Sequence, residues 1–196
     1  MDPLWRELFD RQGFYLFREA LGRDTVNQMV AEAERLADRY PEQSHGLRGL
    51  LQLSEAIHEW ATDLFGLDLA RQARPLRAIL FDKRPNANWR IGWHQDTNLK
   101  EDDVSVVSNE ELARVFTLRL HLDPTPASNG ALRCLPGSHL GGRQPHFRRQ
   151  EPELEESVIE AGPGDILMMR PLLFHASSPA TQPGHRRVIH VDYLER

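Results

Sequence analysis

The stretch RAILFDKRPNANWRIGWHQD, residues 77–96, decides the fold class because it contains two extended runs joined by a turn. The runs RAILFD and RIGWHQD are short and contain β-branched and aromatic residues, as strands do. The segment KRPNAN between them supplies Pro and Asn, which favour turns. Further runs of the same character follow at residues 115–123, 130–136, 164–170 and 186–194. The sequence from about Leu76 onward therefore predicts short strands separated by turns.

The first third of the chain is patterned for helices, apart from a short predicted strand at residues 13–17. Apolar residues recur at helical spacing from Asp24 until Pro41. A second helix is predicted to begin after Ser54, a good N-cap, and to end at Gly66. Helices followed by many strands predict an α+β, mainly β fold of jelly-roll type, with the helices packed outside a β-sandwich or barrel.

Length and composition narrow the possible functions. A chain of 196 residues is long enough for a sizeable core, so we expect one domain over 1–196, with a helical part at about 1–75 and a strand core at about 76–196. The net charge of -5 argues against a nucleic-acid partner. The single cysteine, Cys134, the absence of a signal peptide and the lack of a long apolar run predict a cytoplasmic protein without a membrane partner. The oligomeric state stays open.

Three His-x-Asp pairs occur in the predicted strands, and each could present an imidazole and a carboxylate on one face. They are His94/Asp96, His121/Asp123 and His190/Asp192. A mononuclear iron site of the two-histidine, one-carboxylate type needs a third ligand from elsewhere in the chain. The surroundings of each pair must therefore decide between them.

The two later pairs are predicted to be structural. His190/Asp192 lies near the carboxyl terminus with no histidine after it, and we interpret it as surface or cross-strand polar residues. Asp123 runs directly into PTPASNG, so we expect its carboxylate to cap that turn.

The first pair has the context that a metal site requires. His94 and Asp96 lie where a strand enters a polar segment, and His175 follows another apolar strand downstream. Arg186 then opens the last strand, where its guanidinium could bind a carboxylate through two parallel hydrogen bonds. The ordered set of His-x-Asp, distal His and Arg is more specific than any of its members.

These residues belong to longer motifs that resemble the phytanoyl-CoA dioxygenase family of Fe(II)/2-oxoglutarate-dependent oxygenases. The similar segments are RQGFYLF, WHQD, NGALRCLPGSH, GDILMMRPLLFHASSP and HRRVIHVDY, which occur in order from about residue 8 to 193. The resemblance implies a cupin-like double-stranded β-helix. It also implies Fe(II) as the metal, 2-oxoglutarate as cosubstrate and O2 as oxidant.

The resemblance also implies roles for individual residues. His94, Asp96 and His175 would be the metal ligands, while Arg186 and Ser177 would bind the distal carboxylate of 2-oxoglutarate. In related halogenases a small residue replaces the carboxylate ligand, so the presence of Asp96 favours hydroxylation.

The chain departs from the family at Arg119, where many members have an aromatic residue. If this strand face lines the interior, Arg119 would contact 2-oxoglutarate or an anionic substrate; otherwise the face is outward and solvated. Lys83 is a further candidate contact for substrate or cosubstrate. The polar stretches 97–113 and 140–161 are interpreted either as lids over the site or as solvated loops.

The sequence thus predicts a dioxygenase that hydroxylates an unidentified small molecule and releases succinate and CO2. The alternative is a non-catalytic or zinc-containing cupin-like barrel that binds a small carboxylate ligand.

Overall fold

A computed structural model describes residues 4–41, 46–63, 73–97, 99–101, 104–106, 108–144, 146–147, 155–181 and 184–195. The helices are α1 (Trp5–Gln12), α2 (Arg23–Arg39), α3 (Leu50–Leu53), α4 (Glu55–Thr62) and α5 (Asn109–Ala113). The amino-terminal strands are β1 (Phe14–Phe17), β2 (Ala73–Lys83), β3 (Ile91–His94), β4 (Leu99–Glu101) and β5 (Val104–Val106). The later strands are β6 (Val115–His121), β7 (Leu132–Cys134), β8 (Ser157–Ile159), β9 (Ile166–Met169), β10 (His175–Ser177) and β11 (Arg186–Glu195).

The strands form two larger antiparallel sheets, as the sequence predicts for a jelly roll. The major sheet has the order β1-β9-β6-β11-β2, and the minor sheet has the order β3-β10-β7-β8. A separate hairpin pairs β4 with β5. Side chains from both larger sheets line one cavity, so the sheets enclose it between them.

The helices cover the outer face of the major sheet. Val26, Met29 and Leu36 on α2 join one buried cluster with Leu118 of β6 and Ile189 of β11. Since successive residues of a strand point to opposite faces, the neighbours of these apolar residues point into the cavity. The prediction of helices packed outside the strands is confirmed. No helix among the described residues is both long and apolar enough to cross a bilayer.

Most of the predicted elements are present, but several short ones were not predicted. The Ser54 hydroxyl accepts a hydrogen bond from the Ile57 amide (3.2 Å) and caps α4 as expected, whereas the predicted end at Gly66 lies outside the described residues. The segments taken as polar loops contain regular structure: β4, β5 and α5 lie within 97–113, and β8 lies within 140–161. Helix α1 and strand β10 were also missed, because each is too short to show a clear period.

Gly130 provides a test of how closely the segment before β7 approaches the segment after β10, the strand that pairs with it. Its backbone is left-handed (φ 71°), and a Cβ there would lie 2.5 Å from the Ser178 carbonyl oxygen. Gly130→Ala is expected to reduce the free energy of unfolding by about 2–4 kcal/mol, because it adds a steric clash to the cost of a left-handed conformation. Gly137→Ala is the matched control, since Gly137 has a similar φ (80°) and a Cβ there would lie at an ordinary contact distance of 3.7 Å from the Arg11 carbonyl oxygen. Equal losses in urea unfolding would contradict the close approach.

Candidate metal centre and its cavity

Three potential metal ligands meet at the edge of the minor sheet. Strands β3 and β10 pair antiparallel with His94 opposite His175, and Asp96 follows β3 by two residues. One ligand atom from each of these residues lies within 4.8 Å of the others. Each histidine Nε2 is 3.6 Å from a different oxygen of the Asp96 carboxylate. The structure therefore brings together the three residues that the sequence selects.

The backbone sets the orientation of both imidazole rings. The Nδ1 atom of His94 lies 2.9 Å from the Gly92 carbonyl oxygen, and the Nδ1 atom of His175 lies 2.9 Å from that of Leu173. A carbonyl oxygen can only accept, so each Nδ1 carries the proton and each Nε2 keeps its lone pair. This is the arrangement by which proteins hold histidine ligands. Two imidazole nitrogens and a carboxylate suit a divalent first-row metal such as iron, so the donor set fits.

Electrostatics favours the ligating forms of His175 and Asp96. Burial would lower the pKa of His94, but the hydrogen bond to Asp96 and the charge of that carboxylate outweigh it and raise that pKa. Burial lowers the pKa of His175 to about 4, which leaves its imidazole neutral at neutral pH. Burial would raise the pKa of the Asp96 carboxyl, but the neighbouring His175 and His94 outweigh it and hold that pKa well below its usual range. Asp96 is therefore ionised, and the centre presents one negative charge to a cation.

The centre opens into a cavity of about 290 Å³ between the two sheets. The lining residues come from β2, β3, β6, β7, β10 and β11 and from the segments beside them: Arg48, Arg77, Ile79, Phe81, Lys83, Trp89, Ile91, His94, Asp96, Arg119, Leu132, His175, Ala176, Ser177, Arg186 and His190. Many of these groups are cationic, which is unusual for buried surface.

One end of the cavity combines a guanidinium, an ammonium and a hydroxyl. Lys83, opposite Arg186 in the β2–β11 register, donates to the Ser177 hydroxyl oxygen and to the Ser178 carbonyl oxygen, both at 2.8 Å. Arg186 donates from one terminal nitrogen to the Gly130 carbonyl oxygen at 2.5 Å. Its buried Nε has no hydrogen-bond partner within the described part of the chain. This nitrogen remains ready to donate to a ligand.

Arg119 points into the cavity, so the inward of its two predicted orientations is the one observed. The residue is only 8% exposed. Its guanidinium carbon lies 5.6 Å from the centre of the Phe81 ring, and one terminal nitrogen lies 3.0 Å from Nδ1 of His190. The Nε atom is buried and, among the described residues, makes no hydrogen bond.

Of the two interpretations of His190 and Asp192, surface or cross-strand polar residues, the structure shows the second: both residues are buried and Asp192 makes cross-strand contacts. The Asp192 carboxylate accepts hydrogen bonds from Arg77 and Thr117, each at 2.5 Å, and lies 3.2 Å from Nε2 of His190. Strand β11 runs between β2 and β6, and its residues Arg186 and His190 line the cavity, so the strand is interior even close to the carboxyl terminus. Position in the sequence alone could not show this.

The pair His121/Asp123 is structural, but not through the predicted turn cap. The Asp123 carboxylate accepts from the backbone amide and the guanidinium of Arg187, at 2.8 Å each. His121 is buried, with Nδ1 3.1 Å from the Thr125 hydroxyl oxygen, and it is not among the ligands that meet at the centre. In place of the expected turn cap, Asp123 forms an ion pair with Arg187 of the neighbouring strand β11.

Sequence reasoning missed two cationic lining residues, Arg48 and Arg77. A signal for Arg77 was present, because Arg77, Ile79 and Phe81 alternate along the predicted strand RAILFD and must share a face. Arg48 comes from a segment that contributes to the cavity only through tertiary packing. No local pattern marks it.

The fold and the donor set define a class: jelly-roll proteins with two histidines and one carboxylate at the mouth of a cavity. Within that class, the chain belongs to the phytanoyl-CoA dioxygenase (PhyH) family, whose model matches residues 9–188. No curated protein matches the sequence. The family expected from the motifs is confirmed.

Solved structures similar to this one share the fold at low sequence identity. The carbocyclase SnoK from nogalamycin biosynthesis, described as non-heme and alpha-ketoglutarate-dependent, aligns over 100% of this chain and 84% of its own, with a TM-score of 0.79 and 16% identity. The epimerase SnoN, solved with Fe3+, alpha-ketoglutarate and nogalamycin RO, aligns over 97% and 82%, with a TM-score of 0.77 and 15% identity. HygX from Streptomyces hygroscopicus, solved with nickel and 2-oxoglutarate, aligns over 100% and 87%, with a TM-score of 0.74 and 17% identity.

The buried amine of Lys83 predicts a specific pH dependence of stability. Burial, together with the positive charges of Arg186 and Arg119, lowers the pKa of Lys83 to about 7 from 10.5. Below pH 7 the amine is charged in both the folded and the unfolded protein, so the folded protein bears the full free-energy cost of burying an ammonium group. Between pH 7 and 10.5 only the unfolded state keeps the proton, so this cost falls as pH rises.

Lys83→Met should therefore raise the free energy of unfolding, relative to the parent chain, more at pH 6 than at pH 9.5. Urea unfolding at both pH values measures the difference. Arg74→Met is the control, since Arg74 is an exposed residue of the same strand and its effect should not vary with pH. If Lys83→Met changed the free energy of unfolding by the same amount at pH 6 and at pH 9.5, the result would count against a buried, weakly basic amine.

Proposed function

We propose that this protein is an Fe(II)- and 2-oxoglutarate-dependent dioxygenase that hydroxylates a small organic molecule and releases succinate and CO2. The observation that carries the proposal is the position of the three ligands beside a cationic cavity end suited to a carboxylate. Family membership supports an enzyme of the oxygenase type.

His94, Asp96 and His175 would bind the iron from one side, through the two Nε2 atoms and a carboxylate oxygen. When bound, ferrous iron would supply the activation of O2 and the oxidation of a C–H bond, coupled to decarboxylation of 2-oxoglutarate. The protein's own contribution is to hold the rings in one tautomer and to leave the opposite side open to the cavity. SnoN and HygX, which share this fold, were solved with a metal and this cosubstrate.

The distal carboxylate of 2-oxoglutarate would bind at the end of the cavity formed by Arg186, Lys83 and Ser177. Arg186 offers a buried Nε that no described residue accepts from, and a guanidinium binds a carboxylate through paired hydrogen bonds. Arg119 would donate to the carboxylate at the other, metal-bound end of the cosubstrate, since its unpaired Nε lies in the cavity wall. Each carboxylate would then meet a buried cation.

Hydroxylation is the outcome we propose among those that this fold supports. The named neighbours include a carbocyclase and an epimerase, so the fold does not select one outcome. Asp96 occupies a ligand position that related halogenases leave open for a halide, which argues against halogenation here. The apolar residues Ile79, Ile91 and Leu132 exclude water from the cavity between the charged groups.

His175→Ala should abolish the weak visible charge-transfer band that forms when Fe(II) and 2-oxoglutarate are added without oxygen, because it removes one of three ligands. His121→Ala, which changes a buried histidine outside the centre, should keep the band. Anaerobic absorption spectra measure both variants, and circular dichroism verifies that each is folded. No band in the parent chain, or a band lost only in His121→Ala, would refute the assignment.

Arg186→Met should weaken 2-oxoglutarate binding about tenfold to a hundredfold, the loss expected when a charge-assisted hydrogen bond is removed. The control is Arg187→Met, because the neighbouring Arg187 points to the other face and binds Glu34 and Asp123. Calorimetric titration of the nickel-loaded protein gives both affinities. Unchanged affinity in Arg186→Met would move the carboxylate site to Arg119.

A further inference from the structure

We propose that the molecule oxidised in this cavity is an organic anion, whose carboxylate or phosphate group binds at the end formed by Arg77 and Arg48. This inference rests on the proposed function and adds the chemical class of the substrate. It follows from the charge of the cavity, the spacing of its cations and the groups that remain unpaired.

The cavity has more positive charge than the metal centre and the cosubstrate can neutralise. Its ionisable lining, leaving histidines aside, consists of five cations and one carboxylate: Arg48, Arg77, Lys83, Arg119, Arg186 and Asp96. The Asp192 carboxylate, which accepts a hydrogen bond from Arg77, offsets one more positive charge, so the excess is three. A divalent metal would increase this excess by two charges, and 2-oxoglutarate would then remove two. The excess of three therefore remains, and at least two remain if Lys83 is neutral. One of these charges, that of Arg48, is exposed, but the others are at least partly buried. Buried charge without a partner is costly, so a second anion is favoured.

The cations lie at two separate ends. Lys83 is opposite Arg186 in the β2–β11 register, and Arg77 is opposite Asp192 in the same register. Six residues of extended strand separate the two pairs, which corresponds to about 20 Å at ~3.3 Å per residue. A short dicarboxylate that reaches from Arg186 to the metal ligands would occupy the Lys83 end of this span, which leaves Arg77 toward the opposite end of β2. The far end is thus free for another molecule.

The far end offers donors that the protein leaves unused. Arg77 uses its Nε for Asp192, and no described residue accepts a hydrogen bond from its two terminal nitrogens. Arg48 is exposed at the mouth and forms no ion pair with any residue in the described ranges. Between the ends lies Arg119, more than nine-tenths buried, with its Nε unpaired.

The position of Arg48 is fixed by the backbone beside it. The amide and carbonyl of Leu47 pair with those of Leu80 on the edge of β2, both at 2.9 Å. This pairing places the next residue, Arg48, beside the same strand that carries Arg77. The apolar lining between the charged groups, Ile79, Ile91 and Leu132, suits the carbon skeleton of the anion.

The test uses the protein loaded with Ni(II) and saturating 2-oxoglutarate, so that the first anion site is filled. Inorganic phosphate and benzoate are titrated separately by calorimetry, with benzyl alcohol as the uncharged partner of benzoate. We expect saturable binding of at least one anion and none of benzyl alcohol. Stronger binding of phosphate would assign a phosphate ester, and stronger binding of benzoate would assign a carboxylate.

Two variants locate the site. Arg48→Gln should weaken binding of the preferred anion about threefold to tenfold, the effect of one charge-assisted contact. Arg77→Lys keeps a cation opposite Asp192 but removes the planar guanidinium, which can form two parallel hydrogen bonds to an anion. This variant should also weaken binding of the preferred anion. Arg74→Gln, an exposed change on the same strand, should have no effect.

The two hypotheses fail in different ways. If nickel-loaded protein does not bind 2-oxoglutarate, the proposed function is lost. If 2-oxoglutarate binds but neither anion does, or if the anions bind only by displacing it, the anionic-substrate inference is overturned while the proposed function stands. Equal anion affinity in the parent chain, Arg48→Gln and Arg77→Lys would also overturn it.

Discussion

The alternation of side chains on β11 is the constraint on which the rest of the structure depends. This strand pairs with β2 on one side and β6 on the other. Its odd-numbered residues, such as Ile189, pack under the helices, while Arg186 and His190 line the cavity and Asp192 contacts His190 on the same face. A shift of one residue in register would bury the charges among the helices and expose the apolar face. The core and the candidate site are therefore two faces of one strand.

Buried charge in the cavity is stabilised partly by protein groups and partly left for ligands. Asp192 is satisfied within the protein by Arg77, Thr117 and His190. Arg119 and Arg186 keep buried nitrogens that have no acceptor among the residues that the structure describes. A bound anion stabilises such a buried guanidinium more than an exposed one, because the free-energy cost of removing the buried group from water is already incurred in the folded state.

The metal ligands could be predicted from the sequence because their motifs are local and ordered. WHQD and the segment around His175 carry the residue types and their sequence separation, and the structure places them together. His190 could not be predicted in the same way, since its inward orientation depends on which strands flank β11. Arg119 was left open for the same reason. Arg48 is harder still, because it reaches the cavity through a contact between distant segments and has no periodic pattern around it.

The pairing of Leu47 with Leu80 has a consequence for association between molecules. Strand β2 is a long edge strand of the major sheet, and an unpaired edge of that length is a template for a strand from another chain. The short bridge occupies the backbone groups of Leu80 and covers the middle of this edge. The same few residues therefore protect the sheet from edge-to-edge aggregation and carry a cation to the cavity mouth, so that solubility and ligand recognition would be altered together by changes there.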